Sequence, residues 1–374
     1  MDFYLKHKPG NMRNSEGAFV KLKDGRFLCA YTQYYGDTGW DHSPANIAGI
    51  YSSDNGRTWS EPEILVHNDA LNVMSVSLLR LQDGRIAMVY LKKTQLNGCR
   101  DVRPYIIFSA DETKTWTEPV SITNVPAGVY GVNNDRLVQL KNGRLILPSA
   151  YYRYLPGSTD VPSHRQGITT FFLSDDSGAT WRESKQCVYP PQWLDAGLAE
   201  PGVVELNDGT IFGWARTNGG CQYKFFSHDG GETWTEPQAA REFLSPESPL
   251  SMKRNPKDGC LYAIWNFWEP KFMVRMQRGS WGRTPLVIAR NTDEGRWNAW
   301  TDWTVIEDSP YHGFCYIAME FNGDELLLEY CCGGMEDFCL QDSKIKVLDL
   351  TKMNKGYPDD DPIPQGNPWQ EKKS

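Results

Sequence analysis

Charged and hydroxyl-bearing residues gather in a few short segments of this chain, each close to an apolar hairpin. The segments are MRNSEG (12–17), GWDHSPA (39–45), NNDRL (133–137), LAEPGVVEL (198–206), WARTNGG (214–220), WGRTPL (281–286) and HGFCYIAME (312–320). They supply Arg13, Arg136, Arg216 and Arg283, the carboxyls Asp41, Glu200 and Glu320, and also Trp40, His42, Asn134 and Tyr316. Guanidiniums from separate segments can hold one carboxylate by charge-assisted, partly bidentate hydrogen bonds. A carboxylic acid of raised pKa can donate a proton to a leaving oxygen. A tyrosine hydroxyl, with an ordinary pKa of about 10, needs a base before it can attack.

The composition narrows the ligand. The net charge of −8 argues against a general nucleic-acid surface, so an acidic ligand would need a local cluster of arginines. No metal-ligand spacing, phosphate loop or Gly-rich dinucleotide fingerprint is present, and no cofactor or metal is implied. The nine cysteines are odd in number and include the adjacent pair Cys331 and Cys332, which favours a reduced compartment. The opening MDFYLKHKPGNMRN has no apolar core of a signal peptide, and no stretch is long enough to span a membrane. A chain starting here is expected to be cytoplasmic; one from which a signal was removed would be secreted or periplasmic.

The elements that must position these residues repeat. Six apolar hairpins recur at roughly 50–66 residues: FVKLKDGRFLCAY (19–31), LLRLQDGRIAMVY (78–90), LVQLKNGRLILPS (137–149), VVELNDGTIFGWA (203–215), SMKRNPKDGCLYAIW (251–265) and IAMEFNGDELLLEY (317–330). Asp-Gly and Asn-Gly suit tight hairpins because both residues tolerate positive φ. A second phrase runs out of phase: YSSDNGRTW (51–59), FSADETKTW (108–116), LSDDSGATW (173–181), FSHDGGETW (226–234) and a weaker ARNTDEGRW (289–297). Four strands per unit and six units predict an all-β, six-bladed β-propeller over 1–350, with 351–374 as a tail that wraps the outside or frays. In such a ring the inner strands point their ends at a central pocket.

The phrase SxDxGxTW resembles the Asp box of sialidases and other propellers. Its Asp is expected to accept backbone N–H bonds and its Trp to plug between sheets, a folding element rather than a site. Thr113 stands where Gly belongs in the second box, which predicts a distorted turn there.

AEPGVVELNDGTIFGWAR (199–216) resembles the sialidase segment in which a Glu precedes a hairpin and an Arg closes the next strand, matched by Glu200 and Arg216. GFCYIAMEFNGDELLLEY (313–330) is similar to the last sialidase hairpin, and Tyr316 falls on its catalytic tyrosine. Arg283 in GRTPL and Arg13 in MRNSEG fall on two further substrate-binding arginines, and Asp41 on the loop carrying the acid/base Asp. The resemblance covers roughly residues 10–335 and implies a retaining exo-glycosidase for a terminal acidic sugar on an oligosaccharide or glycoconjugate. In it Tyr316 is the nucleophile, Glu200 its base, and Asp41, with a raised pKa, the acid. A neutral tyrosine avoids the repulsion a carboxylate would meet from the substrate's own anion.

Two segments depart from the pattern: RNSEG replaces Arg-Ile-Pro, and WDHSPA is not a usual sialidase loop. His42 beside Asp41 also resembles propeller polysaccharide lyases and glycosidases of uronic acids. His42, Asn134 and Arg136 are further candidates for substrate binding, and Trp40 for a sugar-stacking platform. Glu320 is expected on the other strand face. Three readings stay open: the exo-glycosidase, a uronic-acid hydrolase or lyase, and a carbohydrate-binding propeller without catalysis.

Overall fold

The computed structural model describes residues 2–96, 99–123, 128–152, 166–268, 280–294, 296, 299–334 and 339–353. The tail beyond Met353, and Gly295 and Trp297 of the weak fifth box, lie outside the described residues. No α-helix occurs among the described residues; Leu350–Lys352 forms one 3₁₀ turn.

The hairpins form where the sequence puts them, with a different turn. Leu22 N donates to Arg26 O at 2.8 Å and Gly25 N to Leu22 O at 3.0 Å, and the same pair of bonds recurs at Leu81, Leu140 and Leu206. The loop therefore holds three residues, and only its Gly has positive φ, +91° at Gly25. Asp24 instead accepts from Arg26 N at 3.1 Å. In a three-residue loop only the last position is left-handed, so the Asp is selected for its side-chain acceptor.

Blade one pairs Gly10–Lys21, Phe27–Gly36, Ala45–Ser52 and Glu63–Val66 in antiparallel order. Blade four (Ala199–Glu205, Ile211–Arg216, Cys221–Ser227, Gln238–Leu244) and blade five (Ser251–Arg254, Leu261–Asn266, Leu286–Asn291, Trp300–Glu307) repeat it. Blades two and three share a nine-stranded sheet, because Val129–Gly131 bridges Cys99–Ser109 of one to Leu145–Tyr152 of the other. Blade six consists of Cys315–Asn322, Glu325–Cys331 and Ser343–Asp349, and its outermost strand is Phe3–Leu5 from the opposite end of the chain.

Six buried apolar clusters separate the six blades. Phe19 and Cys29 of blade one meet Leu327 and Ile345 of blade six in one of them, so the ring is closed. The box tryptophans fill the gaps between sheets: Trp234 of blade four stacks on Phe171 of blade three with ring centroids 4.0 Å apart. Each such buried aromatic is worth about 1.5–3 kcal/mol of hydrophobic stabilisation. Asp54 Oδ1 accepts from Thr58 N at 2.8 Å and Arg57 N at 3.0 Å, and Trp59 Nε1 donates to Gly56 O at 3.1 Å. The second box is not distorted. Thr113 adopts φ 73° and donates its N–H to Ser109 Oγ at 2.9 Å, the bond Gly56 makes to Ser52 in the first box.

The inner strands share one irregularity. The register slips at Ser15/Ala18, Met74/Ser77, Ala199/Gly202 and Cys315/Ala318, and inside these bulges Glu16, Ser75, Glu200 and Tyr316 have φ of 57°, 59°, 46° and 59°. Asp135 of blade three also has positive φ, 58°. A bulge re-aims one side chain out of the strand's alternation, and such residues concentrate at sites.

Candidate active site

Two of these bulge residues meet across the ring. The Tyr316 hydroxyl donates to Glu200 Oε1 at 2.8 Å, and Arg216 Nη1 lies 2.7 Å from the same oxygen. Arg216 Nη2 pairs with Glu247 at 2.8 Å. Burial pushes the Tyr316 hydroxyl well above the ordinary tyrosine value, with the Glu200 charge adding to it and Arg283 and Arg216 opposing. The phenol is therefore neutral in the free protein and hydrogen-bonded to Glu200. Burial works to lower Arg216, but the charge of Glu200 outweighs it and keeps the guanidinium charged.

Arg13, Arg216 and Arg283 line one cavity of about 290 Å³ together with Glu200, Tyr316 and Asp41. Three blades and the blade-five loop thus supply one cationic pocket. Arg283 Nη1 donates to Cys315 Sγ at 3.1 Å, and its guanidinium stands 5.4 Å from the Tyr316 ring centre. Arg13 is fixed on three sides: Nε donates to Ser15 Oγ at 2.8 Å, Nη2 to Glu16 Oε1 at 2.8 Å and Nη1 to Asp41 Oδ1 at 2.6 Å. The departure at RNSEG therefore leaves Arg13 in the pocket.

Asp41 differs from its expectation. Burial would raise its carboxyl, but the charges of Arg13 and Lys93 overcome that and bring it to about 2. It is an ionised group in the free protein, and its side chain keeps 58% of its surface exposed. His42 faces an adjoining cavity and lies 2.8 Å from Arg100 Nη1 through its Nε2.

Asn134 and Arg136 do not line the pocket. Asn134 Nδ2 donates to Gly17 O at 2.7 Å and to Tyr316 O at 2.9 Å, and Arg136 Nη2 donates to Leu250 O at 2.7 Å. Both are buried because NNDRL lies at the centre of the ring, where Asn134 braces the Tyr316 bulge and Arg136 ties blade three to blade five. Trp40 is 64% exposed on the pocket rim, where a stacking platform belongs. Burial lifts Glu320 to about 7, away from the pocket lining.

Sequence reasoning missed Glu16, Lys93, Asn133 and Trp281, all in the walls of these cavities. Glu16 had a readable signal, since it precedes Asp24 by the same interval that separates Glu200 from Asp208. Lys93, Asn133 and Trp281 reach the site from places that no local sequence pattern announces.

No ligand set for a metal occurs among the described residues. No helix of the described residues is long and apolar enough to cross a membrane.

Residues 76–359 match the model of the BNR repeat-like domain. A sialidase of Bacteroides fragilis is 23% identical over 319 residues, covering 78% of this chain and 51% of that protein. The chain spans about half the length of the curated sialidases it matches first. An intramolecular trans-sialidase from Ruminococcus gnavus superposes with a TM-score of 0.72 at 16% identity, covering 94% of this chain and 97% of that one. A protein of unknown function from Dyadobacter fermentans superposes at 0.70 with 18% identity, covering 92% and 98%. These likenesses carry the fold, and with the match over residues 76–359 the chain belongs to the BNR repeat-like domain family.

Proposed function

We propose that the chain is a sialidase-like, retaining exo-glycosidase that removes a terminal sialic acid or related acidic sugar from glycoconjugates. One observation carries this reading: a buried tyrosine hydroxyl bonded to a glutamate, in a pocket lined by three arginines. Arg13, Arg216 and Arg283 bind the sugar's carboxylate. Glu200 takes the Tyr316 proton as the phenol oxygen attacks the anomeric carbon, and the leaving oxygen departs with a proton from Asp41. Water then attacks the glycosyl–tyrosine with Asp41 as base, the departing Tyr316 oxygen takes its proton back from Glu200, and two inversions give retention.

The low Asp41 carboxyl fits this cycle once the substrate is counted. In the free protein Arg13 serves Asp41. A bound carboxylate takes a share of Arg13 and adds a negative charge nearby, and both effects raise the Asp41 pKa toward that of an acid. His42 and Trp40 stand beside the leaving group in this scheme. Asn134 and Arg136 act only as supports.

The test is hydrolysis of an aryl α-sialoside, with the first-formed anomer read by proton NMR. Release of the α-anomer is the expected result. Release of the β-anomer excludes retention. Cleavage confined to aryl uronides, or unsaturated products absorbing in the near ultraviolet, moves the substrate to uronic acids. Binding of the free acid without turnover leaves a lectin-like propeller.

A further inference from the structure

Arg283 differs from the other two pocket arginines in what holds it. Arg13 is matched by Glu16 and Asp41 at 2.8 and 2.6 Å, and Arg216 by Glu200 and Glu247 at 2.7 and 2.8 Å. Arg283 is 6% exposed and makes no ion pair with a carboxylate among the described residues. Its Nη1 donates to Cys315 Sγ at 3.1 Å and lies 4.0 Å from Cys339 Sγ, and its Nη2 donates to Glu247 O at 3.4 Å. Cys315, Cys331 and Cys339 are free, fully buried thiols that form one cluster with Tyr316 and Leu340. Arg283, Tyr316 and Leu340 line the arginine pocket, so the sulfurs pack directly against its lining.

A buried guanidinium needs a negative partner. A sulfur that accepts from an arginine and two thiols is in the setting that makes a thiolate. Burial works to raise the Cys315 thiol, but hydrogen bonds from Cys331 and Cys339 and the charge of Arg283 overcome it and hold the group well below the ordinary cysteine value. Burial, and then the bond to Cys315, push Cys331 and Cys339 up, so both stay protonated donors.

We propose that Cys315 anchors Arg283 as its anionic partner and is a site of peroxide oxidation, closing to a disulfide with Cys339. Cys331 lies opposite Cys315 in the sheet but is held in the ladder on both sides, by Cys315 and by Ser343. Cys339 lies in a turn, where it accepts from Gly333 N at 3.0 Å, and a turn adjusts to disulfide geometry more readily than a paired strand. The Cys315 thiolate attacks one peroxide oxygen; the S–O bond forms, the O–O bond breaks, and hydroxide leaves and takes a proton from solvent. The Cys339 sulfur then attacks the sulfenic sulfur; the S–S bond forms, the S–O bond breaks, and the departing hydroxide leaves as water with the Cys339 proton. Two thiol sulfurs are oxidised and one peroxide is reduced to two waters. The uncharged disulfide leaves Arg283 without its anion and draws the neighbour of Tyr316 toward Cys339. The effect on turnover rests on the glycosidase reading; the modification does not.

The experiment treats the full chain, reduced by a phosphine and then freed of it, with hydrogen peroxide. Remaining thiols are alkylated and the chain is cleaved after glutamate, which puts Cys315, the Cys331–Cys332 pair and Cys339 on separate peptides because Glu320, Glu329 and Glu336 lie between them. The expected product is a Cys315–Cys339 cross-link, formed before the less buried Cys187 and Cys260 are oxidised. As it forms, kcat/KM on an aryl α-sialoside should fall by about tenfold or more, and reduction should restore it. In Cys339→Ser, peroxide should leave a sulfenic acid at Cys315, trapped by a cyclic dione, with no cross-link. The anchor has its own readout: Cys315→Ser should remove an ultraviolet thiolate band and raise KM, and Cys315→Asp should bring KM back. Oxidation of Cys187 and Cys260 with Cys315 untouched, a cross-link to Cys331 instead, or a cross-link without loss of turnover each overturn the proposal. If the reduced protein cleaves no sialoside, the glycosidase reading fails, and the peptide map still decides the modification.

Discussion

Tyr316 and Glu200 are 116 positions apart in the chain, yet their side chains are joined by one hydrogen bond. Removing only the hydroxyl tests its role cleanly. Tyr316→Phe should keep the fold and the affinity for a free acidic sugar, while kcat on an aryl α-sialoside falls by about a thousandfold or more. Undiminished turnover in that variant would falsify the nucleophile assignment. Arg216→Ala should lower binding and turnover together, because the proposed contact with the substrate's carboxylate would exist before and during reaction. Asp41 allows a separate test in the free protein. Its carboxyl is held at about 2 chiefly by Arg13, so Arg13→Met should raise it by a unit or more, to the ordinary aspartate range or above. A carbon-13 titration of the labelled carboxyl reads this directly, and an unmoved Asp41 would mean that Lys93 dominates.

Among elements, the bulged inner strand and the Asp box divide the labour. The bulge trades ladder bonds and a costly backbone conformation for the aim of one side chain, and Glu200 and Tyr316 both stand in it. The Asp box carries stability. Asp229 accepts from Ser227 Oγ, Glu232 N, Thr233 N and Thr233 Oγ1 at 2.6–3.2 Å, and it anchors the turn that seats Trp234 between two blades. Asp229→Ala should therefore lower the melting temperature by at least about 2 °C while the folded fraction keeps its kcat. Normal melting with lost activity would place this turn in the site. The box is the clearest word in the sequence and the least informative about chemistry, because its bonds are all local and backbone-directed.

At the scale of the whole ring, burial leaves acids neutral near its centre. Glu329 is raised to about 8 and Glu320 to about 7, both mainly by burial, against an ordinary 4.5. A carboxyl raised in the folded state favours folding fully below its unfolded value and loses that contribution as pH rises through the folded one. Thermal stability should accordingly decline between pH 4.5 and about 8. Glu329→Gln keeps an acceptor for Gly17 N, 3.0 Å away in the parent, and should flatten part of that decline. A melting temperature that rises steadily across this window would contradict the buried neutral carboxyls.

The sequence by itself determined the repeat, the hairpins, the Asp boxes and hence the all-β ring, because each depends on residues within a dozen positions of one another. It also determined Arg13, Arg216, Arg283, Glu200 and Tyr316 as a set, through their places beside the hairpins and their resemblance to a known pattern. Tertiary structure alone decided which polar residues face the cavity. Asn134 and Arg136 look like site residues in NNDRL and turn out to be braces, since the centre of a closed ring consumes polar groups to satisfy buried carbonyls. Lys93, Asn133 and Trp281 look ordinary and line the cavities. The charge on Asp41 was likewise invisible, because it depends on an arginine 28 residues away whose other contacts were already taken by Glu16 and Ser15. Local spacing sets where the strands and turns form; only the packing of six blades sets what their side chains face.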